Sequence, residues 1–167
     1  MRILPIALLA ALFIAAPASA STPDLTGLQP PAGNTLYDAG YATGVQIYTC
    51  NSGAWTLKAP RATLVNFLGK PTWTHFGGPT WQHKDGSSVL GKADVVVPVS
   101  PTAIPWVRVK AVSTAPGPKG GTTMLKTTYV QRLATTGGLA PAASTCTTDG
   151  TLQEVPYTAI YTFWKQS

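Results

Sequence analysis

The chain is short of charge and of acid above all. Only 11% of its 167 residues are charged, with 6 acids against 12 bases. The acids, Asp24, Asp38, Asp85, Asp94, Asp149 and Glu154, are scattered, several of them beside glycine or proline. Glycoside hydrolysis needs two carboxylates opposed across the bond, and no such pair is evident here. Histidines number 2, His75 and His83. No serine sits in a G-x-S-x-G elbow, which leaves a serine triad without its turn. No G-x-G-x-x-G follows a strand-like segment, excluding a dinucleotide-dependent dehydrogenase. In GPKGGTT, Gly117 to Thr123, the lysine precedes the double glycine, the wrong order for a phosphate loop. The bases do not cluster either. Arg108 and Lys110 are the only close pair in strand-like sequence, so a nucleic-acid surface is not indicated. The net charge of +6 supports no more than weak attraction to an anionic envelope polymer or membrane surface. A binding protein without a cofactor is a better match to this inventory than an enzyme.

Long apolar runs are also missing, except at the N-terminus. There Arg2 precedes an apolar stretch from Ile3 to Ala16, followed by Ala18-Ser19-Ala20. This is the anatomy of a signal peptide over residues 1–20, cleaved near Ala20, and it predicts a periplasmic or secreted protein. The competing reading, a membrane anchor, requires about 20 apolar residues, more than this run supplies. Residues 21–35, rich in Pro, Gly and Thr, read as an extended arm, and residues 36–167 as one β domain. The chain has 2 cysteines, Cys50 and Cys146, and an even count in an exported chain predicts a disulfide. The chain-entropy model assigns a bridge closing so long a loop about 4 to 5 kcal/mol. The alternative is a pair of soft metal ligands, although neither cysteine lies in a CxxC pair or beside a histidine.

What is present is strand sequence with turn punctuation. Alternation predicts strands at Gly44–Cys50, Ala54–Pro60, Ala93–Val99, Ile104–Val112, Met124–Leu133 and Pro156–Trp164. The second is expected to stop at Pro60. In the last, Tyr157, Ala159, Tyr161 and Phe163 share one face. Arg61–Leu68 matches helical spacing at Leu64, Phe67 and Leu68 and equally suits a strand. The expected fold is all-β, a single antiparallel sandwich or barrel with one disulfide.

The stretch WTHFGGPTWQHKDGS, Trp73 to Ser87, holds both histidines and two of the 5 tryptophans. Gly77-Gly78-Pro79 divides it into two short strands, Thr72–Phe76 and Thr80–Lys84, with Trp73 and His75 on one face and Trp81 and His83 on one face. Imidazoles on adjacent strands suit copper or zinc, so His75, His83 and Asp85 are candidate ligands. The competing reading is a half-buried His75 with one ring nitrogen bonded to backbone and an exposed His83. Trp73, Trp81, Trp106 and Trp164 offer flat faces for sugar rings, with Asp85 and Arg108 as polar partners. Aromatics equally fill β cores.

Taken together, IYTC at Ile47–Cys50, Trp55, HFGGPTW at His75–Trp81, Asp85-Gly86-Ser87, IPWVRVKA at Ile104–Ala111, YVQRLATTGGLAP at Tyr129–Pro141, Cys146 and PYTAIYTFW resemble a secreted family of bacteria and filamentous fungi catalogued as domain of unknown function 3455. The resemblance implies export and a Cys50–Cys146 bridge. It implies no activity, and it supplies no site residues to carry over. Two functional readings stand. One is a non-enzymatic binder of a glycan or envelope polymer using His75, Trp73, Trp81, Asp85, Trp106 and Arg108. The other is a metal-binding protein using His75, His83 and Asp85.

Overall fold

The structure is a computed structural model that describes residues 23–167; the expected signal peptide lies outside the described residues. Eight antiparallel strands follow one another around a closed barrel. They are β1 (Asn34–Asn51), β2 (Ala54–Val65), β3 (Pro71–Phe76), β4 (Thr80–His83), β5 (Ser88–Val97), β6 (Trp106–Ala115), β7 (Thr127–Gly137) and β8 (Leu152–Gln166). The choice between sandwich and barrel is settled by β1 and β8, which pair from Asn34↔Gln166 to Thr49↔Leu152 and so close the ring. Closure removes the unpaired edges of an open sheet. The described helical pieces are single 3-10 turns at Thr26–Leu28, Thr123–Lys126 and Ala143–Thr145. None is long and apolar enough to cross a membrane.

An eight-stranded barrel is only wide enough inside for side chains or one small ligand, and the sequence fills it by matching large residues to small ones. Tyr157, Ala159, Tyr161 and Phe163 of β8 share one face, as the alternation predicts, and that face points inward and is buried. Opposite them β1 presents Gly40 and Ala42. A Cβ on Gly40 would stand 2.8 Å from the Trp73 ring, so the glycine is what lets that tryptophan lie flat on Phe163, ring centroids 5.2 Å apart. Each such large buried side chain contributes roughly 1.5 to 3 kcal/mol. Outward positions carry Thr43, Thr63, Thr74, Gln82, Lys92 and Lys110, all exposed.

Two local expectations need correction. β2 does not stop at Pro60 but runs on to Val65, and Arg61–Leu68 is no helix: its first half is strand and its second half a turn. In that turn Asn66 Oδ1 accepts from the N–H groups of Leu68 and Lys70. Pro60 is tolerated because β3 is short. β3 pairs with β2 only from Ala62↔His75 to Val65↔Pro71, so at Pro60 the β3-facing side of β2 has no ladder to break.

The same shortness shapes the molecule. β3 and β4 have 6 and 4 residues, whereas β2 and β5 have 12 and 10. β4 pairs with β5 only between Thr80↔Leu90 and Gln82↔Ser88. Beyond the Gly77-Gly78-Pro79 turn, β2 and β5 therefore stand apart with a notch between them. The rest of that end is covered by the β5–β6 and β7–β8 loops. Cys50 and Cys146 form the expected disulfide, Cα atoms 5.3 Å apart, which pins the β7–β8 loop to the end of β1. Tyr48 donates from its hydroxyl to Gly138 O in the same loop at 2.6 Å.

Outside the barrel, the arm carries one 3-10 turn whose Leu28 is buried. Gln131 Nε2 donates to Leu28 O at 2.7 Å and Arg108 Nη1 to Gln29 O at 2.6 Å, tying the arm across β6 and β7.

Candidate functional site

The notch opens into a cavity of ≈ 460 Å³ within the barrel. Its apolar wall comes from Ala93 and Val96 of β5 and Val107 and Val109 of β6. Its aromatic wall is His75, Trp81 and Tyr161, and its polar groups are Gln46, Arg132 and, at the mouth, Lys58. No Asp, Glu, Cys, Ser or Thr lines it. Volumes of about 300 to 1,000 Å³ with mainly apolar walls and a few converging polar groups are typical of small-molecule sites.

Each lining group is placed by the local pattern. Register sets His75 opposite Trp81, and their rings stack, centroids 4.3 Å apart and planes 7° from parallel. The Tyr161 ring meets Trp81 edge-on at 5.5 Å. Nδ1 of His75 lies 2.9 Å from Thr80 O and must carry the proton to bond a carbonyl, which leaves Nε2 as an acceptor when the ring is neutral. Neutrality is enforced: burial, aided by the nearby Arg132 charge, pushes the His75 pKa down to about 3 against the bond to Thr80. Burial likewise raises the Tyr161 hydroxyl well above the usual tyrosine range, so it stays protonated.

Three residues of the lining carry donors or charge not fully matched within the protein. Gln46 is 1% exposed and its Nε2 has no partner, and Trp81, also 1% exposed, has an unpartnered Nε1. Arg132 lies across from Val107 on β6 and Tyr161 on β8. Its Nε and Nη2 both donate to Pro105 O, at 3.1 and 2.9 Å. No carboxylate pairs with it among the described residues. Arg61 and Arg108, on the outer face, pair with Glu154 at 2.7 Å and Asp94 at 2.9 Å.

The residues singled out from sequence are thus redistributed. His75 and Trp81 line the cavity; Trp73, 2% exposed, lies in the packed core on Phe163. Trp106 and Trp164 are half-buried on outward positions, and Trp164 Nε1 donates to Gln131 Oε1 at 2.8 Å. Arg108 holds the arm and lies 5.6 Å from the Tyr129 ring centroid. His83 packs against Trp73 at 5.8 Å while its Nδ1 is 3.0 Å from Asp85 Oδ1. His83 and Asp85 thus meet, while His75 stacks on the other tryptophan and does not join them. Among the described residues no group of three or more His, Cys, Asp or Glu could hold a metal ion.

Asp85 instead fastens the closed end of the barrel. Oδ1 accepts from the Ser87 N–H at 2.9 Å and hydroxyl at 2.6 Å, and Oδ2 from the N–H groups of Thr122 and Thr123 at 3.1 and 3.0 Å. Ser87 Oγ in turn accepts from the Met124 N–H at 3.1 Å. Partial burial opposes ionisation, but these hydrogen bonds outweigh it and hold the carboxyl well below the usual carboxylate range. A Cβ on Gly121 would lie 2.2 Å from the Asp85 backbone carbonyl oxygen and 2.6 Å from its carboxyl carbon, so the β6–β7 loop packs against Asp85 only through glycine.

Sequence reasoning missed Gln46, Arg132 and Tyr161 as site residues. Alternation carried no signal for Arg132, because the positions at spacing two from it include Thr128 and Thr136 beside Val130 and Ala134.

The model of a family described as "Protein of unknown function (DUF3455)" matches residues 69–165, more than half of the chain and all of the barrel from β3 almost to its end. No curated protein and no solved structure matches.

Proposed function

Because the chain belongs to the family described as protein of unknown function (DUF3455), whose description assigns no activity, we propose its function from the site: a non-enzymatic binding protein that holds one small, largely apolar molecule in the open end of the barrel. The single observation that carries this is the cavity of ≈ 460 Å³, walled by valines and aromatics and opened to solvent by the short β3–β4 hairpin. Binding is favoured over catalysis because the lining has one imidazole, held neutral, and no carboxylate, thiol or aliphatic hydroxyl to act with it. We further propose that the protein works outside the cytoplasm, in the periplasm or beyond; the signal-like N-terminus and the disulfide support that setting. The interior cavity takes over the role first given to surface tryptophans, since Trp73 and Trp81 are both interior residues. A glycan or envelope polymer would then be reached through a terminal group entering the notch.

The test is titration with the neutral fluorescent probe N-phenyl-1-naphthylamine, beside the variant Ala93→Trp, which fills the mouth from an exposed position. Saturable one-to-one binding, weakened at least about tenfold in the variant, is expected for a site of this size. Unsaturable binding, or equal binding by both proteins, would remove the cavity as the site.

A further inference from the structure

Resting on the cavity reading, we infer that the molecule held there is an organic acid, its carboxylate meeting Arg132 and the Gln46 amide and its apolar body lying along the valine and aromatic walls. The charge distribution points to this class. Of the three arginines among the described residues, the two on the outer face each have a carboxylate, and the inward one has only the neutral carbonyl of Pro105. Lys58 at the mouth has the same sign, and no acid lines the cavity to balance either cation. A guanidinium in so apolar a setting gains far more from a carboxylate than it would in water, and its planar fork can take both oxygens. Gln46 supplies independent support. It is almost fully buried with an unpartnered Nε2, and a buried donor left unsatisfied is costly unless something accepts from it. Gln46 can be placed so because β1 turns its polar position inward here, opposite Pro60 and Val155. The orphaned indole N–H of Trp81 is a further donor on the aromatic wall. Gln46 Nε2 and Trp81 Nε1 lack acceptors and Arg132 lacks a counter-charge, and an anion with two oxygens answers both needs. A cationic or purely hydrocarbon ligand would leave them unmet.

An aromatic acid and an aliphatic one share this chemistry, and the experiment separates them. Calorimetric titration of the oxidised protein would use 2-naphthoate and decanoate, each beside its primary alcohol, 2-naphthalenemethanol and 1-decanol. At least one acid is expected to bind about tenfold or more tighter than its alcohol, the ratio a charge-assisted pair commonly supports. In Arg132→Gln that preference should vanish while the alcohol's affinity is kept. Arg132→Gln also loses its bonds to Pro105, so Gln46→Leu, which removes no hydrogen bond made within the protein, gives a second reading: the acid weakens and the alcohol does not. Equal affinity of acid and alcohol in the wild-type protein would overturn the inference and leave the cavity reading intact. Absence of binding by all four compounds would overturn both.

Discussion

At the scale of single residues, burial decides what His75 can be. The unfolded chain takes up a proton on this ring as pH falls below about 6.5, whereas the folded ring resists until about pH 3. Between those values the unfolded state binds more protons, so stability is lost as pH falls and recovered as it rises. His75→Gln keeps a donor for Thr80 O and removes the titration. Urea denaturation at pH 7 and pH 4.5 should show the wild-type protein losing about 2 to 3 kcal/mol more than the variant over that interval, the linkage expected of one suppressed imidazole. Equal losses would mean that His75 protonates freely in the folded state. The residue's type and its neighbours were legible in the sequence, and so was a backbone-bonded, half-buried histidine as one of two readings; its full burial was not. Its stacking on Trp81 was not, because strand register decides which cross-strand pair meets.

At the scale of elements, the β3–β4 hairpin and the β6–β7 loop do opposite things to the two ends of the barrel. The hairpin is too short to fill the wall and leaves the notch. The loop, from Pro116 to Lys126, crosses the other end and is fastened by Asp85 and Ser87. Asp85→Ala deprives the N–H groups of Thr122 and Thr123 of their acceptor. It should cost about 1 to 3 kcal/mol, and amide exchange at Thr122 and Thr123 should accelerate well before exchange in β8. Exchange that rises equally throughout the barrel would show that the strap has no local stability of its own. Since the carboxyl's pKa is lowered on folding, its contribution is complete at neutral pH and fades as the pH drops below the ordinary carboxylate range. The turn at Asp85-Gly86 could be read from the sequence. The partner of Asp85, 37 and 38 residues along the chain, could not.

At the scale of the whole molecule, ring closure and the disulfide hold one architecture from two directions. Closure relies on β1 and β8, which are the first and last strands, so the barrel forms only when chain segments more than 100 residues apart meet, a demanding loop closure. The Cys50–Cys146 bridge, with a sequence separation of 96, shortens that search in the unfolded chain. Reduction, or the double variant Cys50→Ala, Cys146→Ala, should lower unfolding free energy by up to about 4 to 5 kcal/mol, measured by denaturant unfolding with and without reductant. A change below about 1 kcal/mol would show that the barrel's own packing already restricts the unfolded ensemble.

By itself the sequence determined that the chain is all-β, that Tyr157, Ala159, Tyr161 and Phe163 share one face of a strand, and where most of the turns fall, because period-two alternation and turn chemistry are local properties of neighbouring residues. It also assigned the family by its combined motifs. Only the tertiary structure decided barrel over sandwich, the notch over Pro60, and the meeting of Gln46, His75, Trp81, Arg132 and Tyr161 around one cavity. Those five come from β1, β3, β4, β7 and β8, and their proximity depends on strand order, register and the relative lengths of paired strands. Such quantities arise between strands distant in the chain, so no window of sequence contains them.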